Sequence, residues 1–147
     1  MGIFQGIRDA RMTAGGVYFL PGEYIVLVQK VFLQESRKRE VLFIAECLIQ
    51  ASSNPERREG QRCSWVVKMS QDAAMGNIKR FLAACCGIEP SMEAVVNEEI
   101  TEELAEVAVS DGNPLAGTIV GLQATNIKTR EGNDFTLHEW QPVSEAA

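Results

Sequence analysis

Positive charge gathers at a few places along this chain. Arg37, Lys38 and Arg39 are consecutive, Arg57 and Arg58 lie close to Arg62, Lys128 is near Arg130, and Lys30 and Lys68 stand alone. Aromatic residues interleave with them at Phe32, Phe43, Trp65, Phe135 and Trp140, and the single histidine, His138, sits between the last two. Cations pair with phosphates and aromatic rings accept bases, each stacked base being worth on the order of 1–3 kcal/mol. The combination points to single-stranded nucleic acid held by these cations with Trp65, Phe135, His138 and Trp140. A plainer reading stands beside it: basic loops keep a domain soluble while aromatics fill its core. Phe32 and Phe43 are open to either role.

Enzyme chemistry needs a constellation that the sequence lacks. It has no GxxxxGK[ST], no GxSxG and no HExxH. Glu98, Glu99, Glu102 and Glu103 lie opposite an apolar stripe, which makes them a solvated helix face rather than a catalytic pair. Cys47, Cys63, Cys85 and Cys86 form no CxxC pair, and one histidine offers no second ligand of its kind. Neither metal nor cofactor is expected. The cysteines are expected to be reduced thiols, mostly buried, as in a cytosolic protein.

Strands must position the basic residues. Glu23–Leu33 is β-branched and aromatic, with Tyr24, Val26, Val28, Lys30 and Phe32 on one face by alternation. Residues 34–40 form a polar turn, and Val41–Ser52 alternates again. After the loop SNPERREGQ, Cys63, Trp65, Val67 and Met69 continue as a strand, and the period then changes. Ala74, Ile78, Phe81, Leu82 and Cys85 fall on one helical face, with Ser70 expected as N-cap and Gly87 at C′. Pro90–Ser110 is a second helical region with Met92, Val95, Val96, Ile100, Leu104 and Val107 on its stripe, divisible at Asn97 or Thr101. Leu115–Thr129 and Asp134–Gln141 complete the strands, turning at Arg130–Asn133.

Three strands, a helical insertion and two strands make a mainly β chain of α+β type. The layout predicts a five-stranded antiparallel OB-fold-like barrel with the helices between strands 3 and 4. A flat sheet with helices on one face is the competitor. On such a barrel the loops after strands 1 and 4 frame the ligand groove, which is where Arg37–Arg39 and Arg130 fall. Residues 1–21 are expected to be an arm packed on the domain, 22–142 the domain itself, and 143–147 a short tail.

Charge is segregated. The net charge is −6, yet between Glu89 and Ile127 there are eight acids and no Lys or Arg, leaving +2 on the remainder. The 147 residues suit one domain. No apolar run is long enough to cross a membrane, and the first residues lack the pattern of a signal peptide or a myristoylation site.

The blocks GIFQGIRDAR, PGEYIV, IAECLIQASSNPERREGQRCSWVVKM, AAMGNIKRFLAACCG and GNDFTLHEW resemble bacteriophage single-stranded-DNA-binding proteins of the OB-fold kind. The resemblance covers roughly residues 3 to 142 and rests on the pattern of blocks. It implies DNA binding in phage replication or recombination in the host cytoplasm, without catalysis or cofactor. Phage replication proteins and further copies of the chain are the partners it leaves open. Many proteins of that functional class end in a long acidic tail, whereas here Pro142 is followed only by Val143–Ala147. The acidic stretch 89–111 either takes over that role or is simply solvated. The rival function is a virion structural or head-decoration protein latching onto neighbours through the arm at 1–21.

For the two tryptophans, alternation gives different expectations. Trp65 shares a face with Cys63 and Val67 and is open to either side, whereas Trp140 shares one with Thr136 and His138, a polar set that predicts exposure.

Overall fold

A computed structural model describes residues 18–128 and 134–143, apart from the side chains at 134 and 135. Of the expected arm, only 18–21 fall within it, and Arg130 lies outside it. The elements in order are β1 (Gly22–Glu35), β2 (Val41–Ser52), β3 (Arg62–Lys68), α1 (Ala74–Cys85), α2 (Glu93–Glu99), α3 (Glu102–Ala108), β4 (Ile119–Lys128) and β5 (Asp134–Pro142). The strands form one antiparallel sheet in the order β3-β2-β1-β4-β5. Among the described residues no ladder joins β3 to β5, so the sheet is open. Tyr18 occupies part of the edge β5 would need, pairing in parallel with Ser64 of β3.

One face of the sheet carries the core. Val26, Val28 and Val31 of β1, Phe43, Ala45 and Cys47 of β2, and Val120 and Leu122 of β4 are all buried there. α1 covers this face, packing mainly on β5, and contributes Ile78, Phe81 and Leu82. Phe81 lies 4.8 Å from Trp140 and 5.3 Å from Trp65, ring centre to ring centre, at the middle of an aromatic cluster. Such contacts add to the burial of apolar area that drives the packing.

Two departures from the sequence reading decide which side chains reach solvent. The ladder between β1 and β2 slips between Val28 and Lys30. A bulge adds one residue to a strand and sends everything beyond it to the opposite face. Val31 therefore enters the core, while Lys30 and Phe32 turn to the outer face, away from Val26 and Val28. The expectation that all five alternating residues share a face is thus corrected.

The second departure is at α1. It begins at Ala74, and neither Ser70 nor any other side chain caps it; residues 69–73 are turn and bend. Its end is as expected. Ile88 N–H donates to Ala83 O at 2.9 Å and Gly87 N–H to Ala84 O at 3.1 Å, with Gly87 at φ +78°, a Schellman ending that uses glycine's freedom.

The second helical region divides at Thr101, whose Oγ1 accepts from Leu104 N–H at 3.2 Å and caps α3. Only part of its stripe is covered: Val96 is buried, whereas Met92 and Val107 are exposed. β4 begins at Ile119, after a turn over Leu115–Gly117. Beyond Val28, β1 has no β4 partner, and the Asn113 side chain fills in. It accepts from Val31 N–H at 2.8 Å and donates to Val31 O at 3.0 Å.

Candidate nucleic-acid interface

The outer face of β1–β3 is built from cross-strand rows. Leu27, Leu48 and Arg62 make one; Lys30, Glu46 and Ser64 the next; then Phe32, Ile44 and Val66; and last Gln34, Leu42 and Lys68. Three expected contacts, Lys30, Arg62 and Lys68, are thus brought to one face around an apolar stripe. All three are exposed. The Lys30 ammonium sits 5.0 Å from the Phe32 ring centre, a cation–π arrangement that leaves the ring half-buried and the charge in water. Glu46 is the one carboxylate in these rows.

At the far end of β1 the chain turns through Arg37, Lys38 and Arg39, all exposed. Ser36 N–H donates to Glu40 O at 2.8 Å and Arg39 N–H to Ser36 O at 2.9 Å, which closes a three-residue hairpin loop. Its third residue must be left-handed, the position glycine normally takes. Here Arg39 takes it at φ 61°. A long cationic side chain held in an unfavourable backbone conformation, fully exposed, is a local cost without a local packing return.

The two loops expected to frame one groove stand at opposite ends of β1. The β1–β2 turn follows Glu35, while β4 passes Gly22 at Ala124 and runs on to Lys128. The 14 residues of β1 separate these ends by roughly 40 Å at about 3.3 Å per residue. Lys128, on the exposed end of β4, therefore shares no site with Arg37–Arg39. Arg57 and Arg58, in the β2–β3 loop at that same end, are partly committed to structure. Arg57 Nε donates to Tyr18 O at 2.7 Å, and Arg58 Nε to Pro55 O at 2.9 Å.

The tryptophans are core residues. Trp65 is 5% and Trp140 1% exposed, and their ring centres are 5.2 Å apart. The exposure expected of Trp140 is corrected: the face it shares with Thr136 and His138 is the one α1 covers. Neither indole can lie flat against a base on the outer face. Phe43 is likewise buried, resolving its two roles in favour of the core, while Phe32 goes to the outer face. The Phe135 side chain lies outside the described residues. His138 is half-buried, its ring 6.3 Å from that of Trp65, and burial lowers its pKa, favouring the neutral imidazole.

Between the unladdered edges of β3 and β5 lies a cleft of about 350 Å³. Trp65 and Lys68 line it from one side, Thr136 and His138 from the other, and Tyr18 and Gln71 at its margins. Tyr18, Ser64, Gln71 and Thr136 were not singled out as binding residues by sequence. Tyr18 gives only the signal of an aromatic next to a strand, and Gln71 gives none.

No protein-family model matches the chain, and comparison with curated proteins gives no match.

Proposed function

We propose that this chain binds single-stranded DNA with little sequence preference, along the outer face of β1–β3, and performs no catalysis. The observation that carries the reading is the juxtaposition of Lys30, Arg62 and Lys68 around Phe32, Leu42 and Val66, adjoining the exposed Arg37–Arg39 turn. Cations at the margins take phosphates and the apolar stripe takes base faces. The acids of 89–111 belong to the helical insertion and not to these rows. In the rows and the adjoining turn six cations (Lys30, Arg37, Lys38, Arg39, Arg62 and Lys68) stand against Glu46 and the turn-flanking Glu35 and Glu40, so the local charge is positive despite the net −6. The strand order, with helices between β3 and β4 and with β3 and β5 at the two edges, supports an OB-fold-like barrel whose last seam is closed by side chains. The resemblance of the sequence blocks supports a phage replication or recombination setting in the host cytoplasm, and the four free cysteines suit a reducing compartment.

Fluorescence anisotropy with labelled oligo(dT) tests the reading. Affinity is expected to fall with salt, log K dropping about 0.7 per log unit of salt for each phosphate neutralised. Reversing Arg37, Lys38 and Arg39 to Glu should cost far more than converting Glu98, Glu99, Glu102 and Glu103 to Gln. Equal effects, or no binding by the folded protein, would sink the proposal and favour the virion structural alternative.

A further inference from the structure

We infer that the cleft between β3 and β5 is a pocket for one nucleobase, filled from a strand lying on the adjoining outer face; this rests on the strand-binding reading above. Three features converge on that occupant. First, its size: about 350 Å³ is at the small end of ligand sites, room for a single base and its sugar and not for a stacked run.

Second, its chemistry is that of a base-edge reader. The Gln71 amide and the Thr136 hydroxyl each both donate and accept, and the neutral His138 ring offers one donor and one acceptor. These groups surround an aromatic surface from Phe19, Trp65 and the exposed ring of Tyr18. A flat heterocycle with polar edges matches that alternation of ring faces and hydrogen-bonding groups. No carboxylate lines the cleft among the described residues, so nothing there repels a phosphate.

Third, the location. Lys68 belongs to both surfaces: it ends the outer row Gln34, Leu42, Lys68 and also lines the cleft. One ammonium can therefore hold the phosphate at which the strand leaves the outer face and a base turns inward. The missing β3–β5 ladder is what keeps the entrance open, since a hydrogen-bonded pair of edges would bring the strands to about 4.8 Å and close it.

The pocket separates base-dependent from phosphate-dependent affinity, and that is what the experiment measures. Oligo(dT) is compared with a fully abasic oligomer of equal length and charge, on wild type, His138→Ala and the cleft-filling Thr136→Phe. Free dTMP is titrated in parallel, following tryptophan emission, because Trp65 lines the cleft.

Wild type should prefer oligo(dT) over the abasic oligomer by about tenfold. In at least one variant that keeps the wild-type circular dichroism, the preference for oligo(dT) should shrink severalfold, to the part that the apolar stripe of the outer face supplies, with the salt slope unchanged. dTMP should shift wild-type emission and leave that of Thr136→Phe unmoved. A base preference in a folded Thr136→Phe as large as that of wild type overturns the pocket while leaving the outer-face reading intact. Equal binding of the two oligomers by wild type overturns both the pocket and the base contacts of the apolar stripe. If neither oligomer binds, the outer-face reading fails, and dTMP alone decides: a shift lost in Thr136→Phe keeps a nucleotide pocket, and no shift ends it.

Discussion

Trp65 of β3 and Trp140 of β5 meet with ring centres 5.2 Å apart and planes at 63°, spanning the two edges of the sheet that no backbone ladder joins. The contact is edge-to-face in kind, the arrangement that aromatic quadrupoles favour. Phe81 of α1 approaches both rings, so helix and seam are held by one cluster. Two residues that look like base-stacking platforms in the sequence instead close the fold. Any change in their fluorescence on binding therefore reports the cleft or the packing around it, not a base lying on an exposed indole.

Stability should depend on Trp140 more than affinity does. Trp140→Ala opens a cavity at the centre of the cluster and is expected to cost about 3–5 kcal/mol. The indole also carries a cost of its own, because its buried Nε1–H has no hydrogen-bond partner among the described residues. Trp140→Phe removes that orphan donor along with some apolar area, so it should cost less than about half as much as alanine. Urea melts of the two variants check this. A phenylalanine variant as unstable as the alanine one would show that the N–H is satisfied.

Arg39 should trade stability for affinity. Glycine relieves the left-handed strain at φ 61° but adds chain entropy to the unfolded state, a net gain of up to about 1 kcal/mol. For a chain of this length that raises Tm by about 2–4 °C. Arg39→Gly should meanwhile weaken oligo(dT) binding and lower the salt slope by about 0.7, one phosphate contact. Arg39→Asn, which tolerates the same backbone, separates the charge from the strain. A glycine variant that gains stability and loses no affinity would place the DNA elsewhere.

The sequence carries these strengths and blind spots unevenly. β2 was legible to the residue, Val41–Ser52, because its alternation is bounded by polar loops on both sides. The ending of α1 was legible from Gly87, whereas the second helical region was legible only as divisible at Asn97 or Thr101, and the structure divides it at Thr101. The bulge in β1 was not. Tyr24 to Phe32 alternates without interruption, and nothing in it shows that one residue is skipped in pairing with β2. That single slip decides that Lys30 and Phe32 face outward, so two of the six side chains that carry the candidate interface depend on an event with no local signature. The exposure expected of Trp140 fails for a related reason: Thr136 and His138 look polar, yet they line the seam beside the core and not open solvent.

Thiol reactivity should report the same burial. Cys47 and Cys63 are fully buried opposite each other on β2 and β3, and burial drives the thiols of Cys47 and Cys85 far up from the usual range. Cys86 alone is exposed. In Ellman's assay one thiol should react in the native protein and four in guanidinium. The Cys86 thiol is itself raised, first by partial burial and then by the Glu99 carboxylate. Glu99→Gln removes a like charge, lowers that pKa and should speed the reaction at neutral pH. Two or more fast thiols in the native state would contradict the packing of β2 against β3.

His138 should give the fold a pH dependence on the acid side. Burial lowers its pKa in the folded chain, whereas the unfolded chain keeps an ordinary value near 6.5. Above about pH 6.5 the imidazole is neutral in both states and contributes no slope. As pH falls below that value the unfolded state takes up a proton that the folded state resists, so the unfolded state gains stability. The fold is therefore expected to weaken between about pH 6.5 and the depressed folded pKa, and the loss levels off once both states are protonated. Carboxylates begin to contribute near their own range, so the informative window lies between about pH 7.5 and 5.5. His138→Gln keeps the polarity without the titration and should flatten Tm across that window. A slope unchanged by the substitution would mean that His138 is protonated in the folded chain as readily as in water. Below about pH 6.5 its ring would then offer the cleft two donors in place of a donor and an acceptor.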